Sequence, residues 1–230
     1  MIELAVAALV FVGIHLVPSS PARGWVVGRF GDAAYLAGFS IISTVTLIWL
    51  ILAFADAPVD PPLWYPASAW VWVQAVLMLL ASALVTGGLG VPNPSSVGQR
   101  AAVERADIAA GIFAVTRHPV MWGIGIWGIT HMISQPNLRG LLFFGAITFV
   151  ALVGSRRQEG RKAREFTDAW ARWKAKTSYF PFAAIIAGRN RLNLRAIGYH
   201  LLVAGVMLWL GLLLGHRWLF GASVLPYLGF

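Results

Sequence analysis

Two histidines at the ends of apolar runs are the side chains in this 230-residue sequence best suited to chemistry. One, His118, lies in Thr116-Arg117-His118-Pro119 directly before a long apolar run, and the other, His15, lies near the end of the first apolar run. Proline is favoured at the first position of a helix and restricts the residue before it, so we expect His118 at a helix mouth. An imidazole there suits a metal ligand, an acid or base, or a group that binds an anionic cofactor.

The composition indicates the class of protein that must position these histidines. Hydrophobic residues make up 58% of the chain and charged residues only 12%, which is more apolar surface than a soluble domain can bury. The absence of cysteine excludes disulfides and thiolate metal ligands. We predict one integral membrane domain over residues 1–230, an all-α polytopic bundle with interfacial helices. Six runs are predicted to cross the bilayer as helices: 2–18, 34–54, 69–88, 119–135, 138–154 and 196–216.

The distribution of charge predicts the orientation of this bundle. The 18 basic residues outnumber the 9 acidic ones and concentrate in the loops after the first, third and fifth predicted spans. The positive-inside rule therefore places these loops in the cytoplasm and both termini on the periplasmic side of a bacterial inner membrane. Topology and anionic lipid account for the basic charge, so the predicted partners are membrane lipids and an apolar or lipid-like substrate, and not nucleic acid.

Depth in the membrane separates the five histidines. By this topology His15, His118 and His200 share the cytoplasmic leaflet, whereas His131 lies roughly 20 Å along the helix from His118 and cannot share a metal ion with it. His15 and His118 can bind one iron if their helices are neighbours, as histidines from two facing helices do in haem-binding bundles. For His131, His200 and His216 a hydrogen bond to a neighbouring helix is the favoured role.

Two loops on the predicted cytoplasmic side are long enough to hold structure of their own. In the first, 87–117, a short helix is predicted around Glu104 after a stretch rich in glycine and proline. In the second, 155–195, Phe166, Trp170 and Trp173 recur at i, i+4 and i+7 among basic residues. That pattern is typical of a helix lying in the membrane interface, where it could serve purely as a lipid anchor.

Three segments of the chain resemble the NnrU family of membrane proteins. They are 13–20 (GIHLVPSS), 111–123 (GIFAVTRHPVMWG) and 127–131 (WGITH). The resemblance implies either a protein serving denitrification and nitric oxide metabolism or, as in plant and cyanobacterial relatives, a ζ-carotene isomerase. In those isomerases haem b with histidine ligands is implied to drive a redox-dependent cis-to-trans change. Carried onto matching positions, the resemblance implies His15 and His118 as the metal ligands.

Haem also needs cationic partners for its propionates. Arginine suits this role because its planar group donates two hydrogen bonds to one carboxylate. The arginines predicted at the cytoplasmic boundary are Arg117, Arg23, Arg100 and Arg105.

A second resemblance, to isoprenylcysteine and phospholipid methyltransferases, leads to a different cofactor. It rests on Arg117-His118-Pro119 followed by 157–160 (RQEG) and 180–182 (FPF). It implies an isoprenylcysteine-methyltransferase-like fold with S-adenosylmethionine at the cytoplasmic face. The family's usual tyrosine is Met121 here, and its glutamate pair is reduced to Gln158 and Glu159. The residues implied to line that site are Arg117, His118, Glu159 and Arg161, whereas Glu159 is expected to be only a surface charge if haem is bound.

Overall fold

The structure is a computed structural model that describes residues 1–94, 102 and 109–229, apart from the side chains of residues 167 and 227. Throughout this described part the chain is helical and contains no strand, which confirms the predicted all-α class. The helices are α1 (Ile2–Leu16), α2 (Pro21–Asp56), α3 (Trp70–Leu89), α4 (Ile112–Val115), α5 (Pro119–Ser134), α6 (Leu138–Phe149), α7 (Ser155–Glu165), α8 (Thr167–Lys176), α9 (Ala183–Ile186), α10 (Leu194–Ile197) and α11 (Tyr199–Phe220). A π-helical segment, Val150–Gly154, joins α6 to α7.

Five of these helical segments are long and apolar enough to cross a membrane: Ile2–Ser19, Pro21–Asp56, Trp70–Leu89, Leu138–Glu165 and Tyr199–Phe220. They match five of the six predicted spans. The sixth is α5, a helix of 16 residues, which is about 24 Å long and therefore shorter than the hydrocarbon core of ~30 Å. The chain is a multi-pass membrane protein.

The chain divides into two compact units. The first comprises Met1–Tyr65 and Gly128–Arg161, and the second comprises Pro66–Trp127 and Lys162–Phe230.

In the first unit α1 packs against α2 and α6, burying Leu4, Ala7 and Phe11. At one end of this unit the carboxylate of Asp60 accepts hydrogen bonds from the backbone N–H groups of Leu138, at 2.6 Å, and Arg139, at 3.1 Å. These N–H groups belong to the first turn of α6 and have no partner inside the helix, so Asp60 caps α6.

Helix α2 is broken at Gly31, where the backbone leaves helical geometry with φ 82° and ψ 162°. The predicted span 34–54 lies wholly after this break. The helix before it, from Pro21, was not predicted. Arg23 bridges the break by an ion pair with Asp32, Nη2 to Oδ1, at 2.9 Å.

In the second unit α3 packs closely against α11. Gly205 of α11 allows this approach, because an added Cβ would come within 2.9 Å of the Cα of Ala83. The core beside this pair contains Phe113, Trp170 and Trp173. The exposed fraction is 1% for Trp170 and 4% for Trp173. The predicted helix is therefore present as α8, but its tryptophans pack against protein, so the prediction that this aromatic face anchors the helix in lipid is wrong.

Candidate cofactor site

His118 lies in a turn whose shape is fixed by hydrogen bonds within the second unit. Helix α5 begins at Pro119 as predicted, and the carbonyl of His118 accepts from Trp122 N at 2.9 Å. The Oγ1 of Thr116 donates to the carbonyl of Tyr179 at 2.6 Å and accepts from His118 N at 3.3 Å. The side chain of His118 is 1% exposed, so this helix mouth is fully buried.

A distant segment of the chain holds this turn in place. The N–H of Arg117 donates to the carbonyl of Ser178 at 2.8 Å, and the N–H of Phe182 donates to the carbonyl of Val115 at 2.8 Å. Phe182 adopts a left-handed backbone conformation, φ 64°, which is costly for a bulky residue and persists only where surrounding contacts enforce it. This strained residue follows the aromatic pair at positions 179 and 180 after one intervening proline.

Arg117 is buried with its guanidinium directed at backbone. Its Nη1 donates to the carbonyl of Thr177 at 3.0 Å, just past the C-terminal end of α8. A cation is favourable there because carbonyls at a helix end carry partial negative charge. Arg117 was predicted to bind a propionate; in this structure its guanidinium holds the His118 turn to the end of α8.

Aromatic rings form an apolar surface beside His118. The Tyr179 ring centroid lies 5.5 Å from that of His118 and 5.7 Å from that of Trp122. Phe180 extends the surface, with its centroid 5.7 Å from Trp122, and its side chain is exposed. Such planar faces suit contact with a flat, conjugated apolar molecule.

His15 belongs to the first unit, and both of its ring nitrogens have defined partners. Nδ1 lies 2.7 Å from the carbonyl of Phe11, and Nε2 lies 2.8 Å from the hydroxyl of Ser43. A carbonyl can only accept, so Nδ1 carries a proton, and in the neutral ring Nε2 then accepts from the Ser43 hydroxyl. This tautomer leaves the Nε2 lone pair available to a metal once the hydroxyl is displaced.

Of the three other arginines predicted to bind the propionates, Arg23 lies in the described part of the chain. The guanidinium of Arg23 pairs with Asp32 and lies 5.3 Å from the centroid of the Tyr35 ring. Its charge is thus already engaged within the first unit. Arg100 and Arg105, and the short helix predicted around Glu104, lie outside the described residues.

Comparison with known proteins is decisive for the family. A sequence model of the family described as NnrU protein matches residues 3–224. The chain belongs to the NnrU family. It is 26% identical over 165 residues to the chloroplastic 15-cis-zeta-carotene isomerase of Zea mays, covering 70% of this chain and 44% of that protein. To the Arabidopsis thaliana protein of the same name it is 29% identical over 104 residues, covering 44% of this chain and 28% of that protein. The chain thus spans less than half the length of these relatives. No solved structure matches it.

Two of the remaining histidines of this NnrU-family chain, His131 and His216, have defined contacts. His216 donates from Nδ1 to the carbonyl of Ala222 at 2.7 Å, so it bonds to backbone just beyond its own helix rather than to a neighbouring one. The ring of His131 packs 5.1 Å from that of Phe144, centroid to centroid. Among the residues described, no group of three or more histidines and carboxylates could hold a metal ion. A pair of histidines on one haem iron is a different arrangement and needs no such group.

Glu159 departs from its expected place on the surface. Its side chain is buried and accepts from Arg156 Nη1 at 2.9 Å, an ion pair between residues one helical turn apart. The expectation that Glu159 is only a surface charge is wrong.

Ser43 and residues 177–179 contact the two histidine segments but were not identified from the sequence. Ser43 had a usable signal, because a hydroxyl inside an apolar span is often bonded to another helix. Residues 177–179 had none, since their pairing with the His118 turn joins positions about sixty residues apart.

Proposed function

We propose that this chain is a membrane-embedded cis–trans isomerase of a long apolar polyene, working with haem b ligated by His15 and His118. The hydrogen bonding of His15 carries the proposal. It supports the ligand role predicted from the sequence, and the curated relatives are named as 15-cis-zeta-carotene isomerases.

The surroundings of His15 fit an axial ligand. Metal-ligating histidines commonly donate their second ring N–H to a carbonyl, which fixes the tautomer and makes the ligating nitrogen more basic. The carbonyl of Phe11 supplies that acceptor, and the rings of Phe11 and Phe39 pack 4.2 Å and 5.7 Å from the imidazole. To bind iron, Nε2 of His15 would only have to give up its hydrogen bond with the Ser43 hydroxyl.

The surroundings of His118 fit the second ligand. The ring is shielded from water, as suits a nitrogen that is to bind iron rather than solvent. The Thr116 and Arg117 hydrogen bonds fix the backbone from which the ring projects. Tyr179, Trp122 and Phe180 supply flat apolar contacts beside it, suited to a porphyrin edge or to a polyene.

Under this proposal, the haem and the protein have different roles. When bound, haem b supplies a reversible one-electron centre, which is the chemistry a redox-dependent double-bond rotation requires. The chain's own residues hold the His15 imidazole in one tautomer, fix the backbone that carries His118 and exclude water around its ring. The aromatic rings favour a conjugated substrate over a saturated lipid, because flat π-systems pack against one another.

An absorption spectrum of protein purified from cells competent in haem synthesis tests the proposal. We expect a Soret band that shifts on dithionite reduction, and we expect His15→Ala or His118→Ala to convert the low-spin spectrum to high-spin or abolish it. His216→Ala is the matched control, since His216 bonds to the nearby carbonyl of Ala222, and its spectrum should equal that of the wild type. A colourless protein that takes up no added haem would contradict the proposal.

An activity assay tests the second half of the proposal. Proteoliposomes supplied with a 15-cis polyene should form the trans isomer under reducing conditions, and both histidine variants should lose this activity. Calorimetry with S-adenosylmethionine examines the methyl-transfer alternative on the same preparation. Saturable binding that Glu159→Gln weakens, in protein without haem, would replace isomerisation by methyl transfer.

A further inference from the structure

The C-terminal part of the chain carries basic charge without any acidic residue. Residues 169–230 contain no aspartate or glutamate. Six of the basic residues in this part fall within a short stretch before helix α11: Arg172, Lys174, Lys176, Arg189, Arg191 and Arg195. No acidic residue in this part of the sequence can balance the positive charge. This suggests that an anion from outside the chain binds there.

Hydrogen bonds bring two parts of this stretch together. Nη1 of Arg189 donates to the carbonyls of Ala175, at 2.8 Å, and Thr177, at 2.9 Å, while Nδ2 of Asn190 donates to the carbonyl of Lys176 at 2.8 Å. The loop after α9 is therefore seated on the C-terminal end of α8. Arg191, which follows directly, is consequently placed beside the lysines at the end of α8.

All six of these basic side chains are exposed. Four of them lie in or after the last turn of α8 and have no backbone partner in the part of the chain that the structure describes: Lys174, Lys176, Arg191 and Arg195. Within the described residues none of the four forms an ion pair. Arg189 differs from them because it is engaged with the end of α8. The four exposed cations are available to bind an anion.

Large apolar side chains are exposed among these cations. Ile186 is 85% exposed, and Leu192 and Leu194 are each about half exposed. The three residues lie shortly before Tyr199, where the membrane-spanning helix α11 begins. The start of a spanning helix lies at the membrane surface, where basic and apolar side chains side by side contact headgroups and acyl chains respectively.

We propose that this surface, the basic–apolar rim formed by Lys174, Lys176, Arg191, Arg195, Ile186, Leu192 and Leu194, binds anionic phospholipids of the surrounding bilayer. The cations contact the lipid phosphate, and the apolar side chains enter the outer part of the acyl region. The rim lies entirely within the second unit and does not depend on which cofactor the chain uses.

Native mass spectrometry from a non-ionic detergent tests this with phosphatidylglycerol and phosphatidylcholine of identical acyl chains. We expect the wild type to bind phosphatidylglycerol more tightly. The triple variant Lys174→Gln, Lys176→Gln, Arg191→Gln should lose about fivefold in affinity per removed base. The matched control Arg29→Gln, Arg164→Gln, Arg217→Gln removes the same charge from exposed positions elsewhere and should stay within about twofold of the wild type.

A second pair of measurements separates a lipid from a free anion. The double variant Ile186→Ser, Leu192→Ser should weaken phosphatidylglycerol binding, since each buried CH₂ contributes to membrane affinity. Inorganic phosphate should not compete at low millimolar concentration. Competition by phosphate together with an unchanged double variant would assign the rim to a soluble anion and overturn the proposal.

Further results would also overturn it. Equal affinity for the two lipids would do so, as would equal losses in the rim variant and the charge-matched control. If the rim variant does not fold, salt dependence of the wild type decides. The preference for phosphatidylglycerol over phosphatidylcholine should fade between 0.1 M and 1 M salt, because the Debye length falls from about 10 Å to about 3 Å. A preference that is unchanged at 1 M salt would contradict the proposal.

Discussion

At the scale of single residues, the His118 turn depends on hydrogen bonds more than on packing. Thr116, Arg117, Thr177 and Ser178 are all buried, and each bonds to backbone or to another of these side chains. Buried polar networks of this kind specify one geometry when every member is satisfied, and each lost member leaves an orphaned partner. The placement of His118 is therefore sensitive to single hydroxyl groups.

Thr116→Val should destabilise the protein although the two side chains have nearly the same shape. The change leaves the carbonyl of Tyr179 without its short bond, a loss of about 1–3 kcal/mol in the free energy of unfolding. Thr148→Val is the matched control, because Thr148 Oγ1 is buried and has no partner in the described part of the chain. Thermal unfolding in detergent, followed by circular dichroism, measures both. Equal shifts in the two variants would contradict this account of the turn.

Ser43→Ala should tighten haem binding, given the proposed function. The Ser43 hydroxyl occupies the His15 Nε2 lone pair, and iron must displace it. A hydrogen bond of about 0.5–1.5 kcal/mol corresponds to an affinity gain of roughly two- to tenfold. Haem titration followed at the Soret band measures this, with Ser40→Ala as an exposed control on the same helix. Weaker binding by Ser43→Ala would show that the hydroxyl supports the ligated ring instead.

At the scale of helices, the break in α2 requires glycine. The conformation at Gly31 is accessible almost only to glycine, so Gly31→Ala should cost about 1–3 kcal/mol in the free energy of unfolding. Gly38→Ala lies in the same helix with no atom within 4 Å of an added Cβ, and it should stabilise by about 0.5–1 kcal/mol. Chemical denaturation of the two variants compares them. Opposite signs are expected, and a neutral Gly31→Ala would mean that α2 runs straight.

The cap of α6 should make stability depend on pH. Partial loss of hydration acts to raise the pKa of Asp60. The N–H groups of Arg139 and Leu138, with the Arg139 charge, outweigh this and lower the pKa below its ordinary value of 3.8. A lowered folded-state pKa means that the ionised cap stabilises the fold above pH 3.8. That stability is lost as the pH falls through the lower folded-state value.

Asp60→Asn should therefore lower the thermal midpoint at pH 7 and flatten its decline in acid. Asp56→Asn, at the exposed end of α2, makes neither bond to α6 and is the control. Thermal midpoints between pH 7 and pH 3 measure both variants. If the thermal midpoint of Asp60→Asn declines in acid as steeply as that of the wild type, carboxylates other than Asp60 cause the decline.

Helix positions could be predicted from local chemistry, but their surroundings could not. Pro119 marks the start of α5, and the spacing of Trp170 and Trp173 marks α8, because proline geometry and helical periodicity are local properties. Periodicity identifies an apolar face but not whether lipid or protein covers it, and here protein does. The bond from Thr116 to Tyr179 depends on tertiary contact, so no local pattern predicts it.

At the scale of the whole molecule, contacts in the first unit bear on the number of membrane crossings. Asp60 caps α6, and Trp64 Nε1 donates to the carbonyl of Ile133 at 3.2 Å. The loop after α2 and the loop before α6 therefore lie at the same end of this unit. The chain between them must cross the membrane an even number of times. Helix α3 provides one crossing, and we infer that α5, though short, provides the other, with local thinning of the bilayer around it.

A topology of six crossings makes a labelling prediction. The chain has no cysteine, so Val59→Cys and Lys176→Cys each give a single reactive site at an exposed position. The three crossings between these sites, by α3, α5 and α6, put them on opposite sides, and the basic residues around Lys176 predict that its loop is cytoplasmic. A membrane-impermeant maleimide added to intact cells should label Val59→Cys alone, and detergent should expose both. If α5 does not cross, the two sites fall on the same side and label together, which would refute the six-crossing topology.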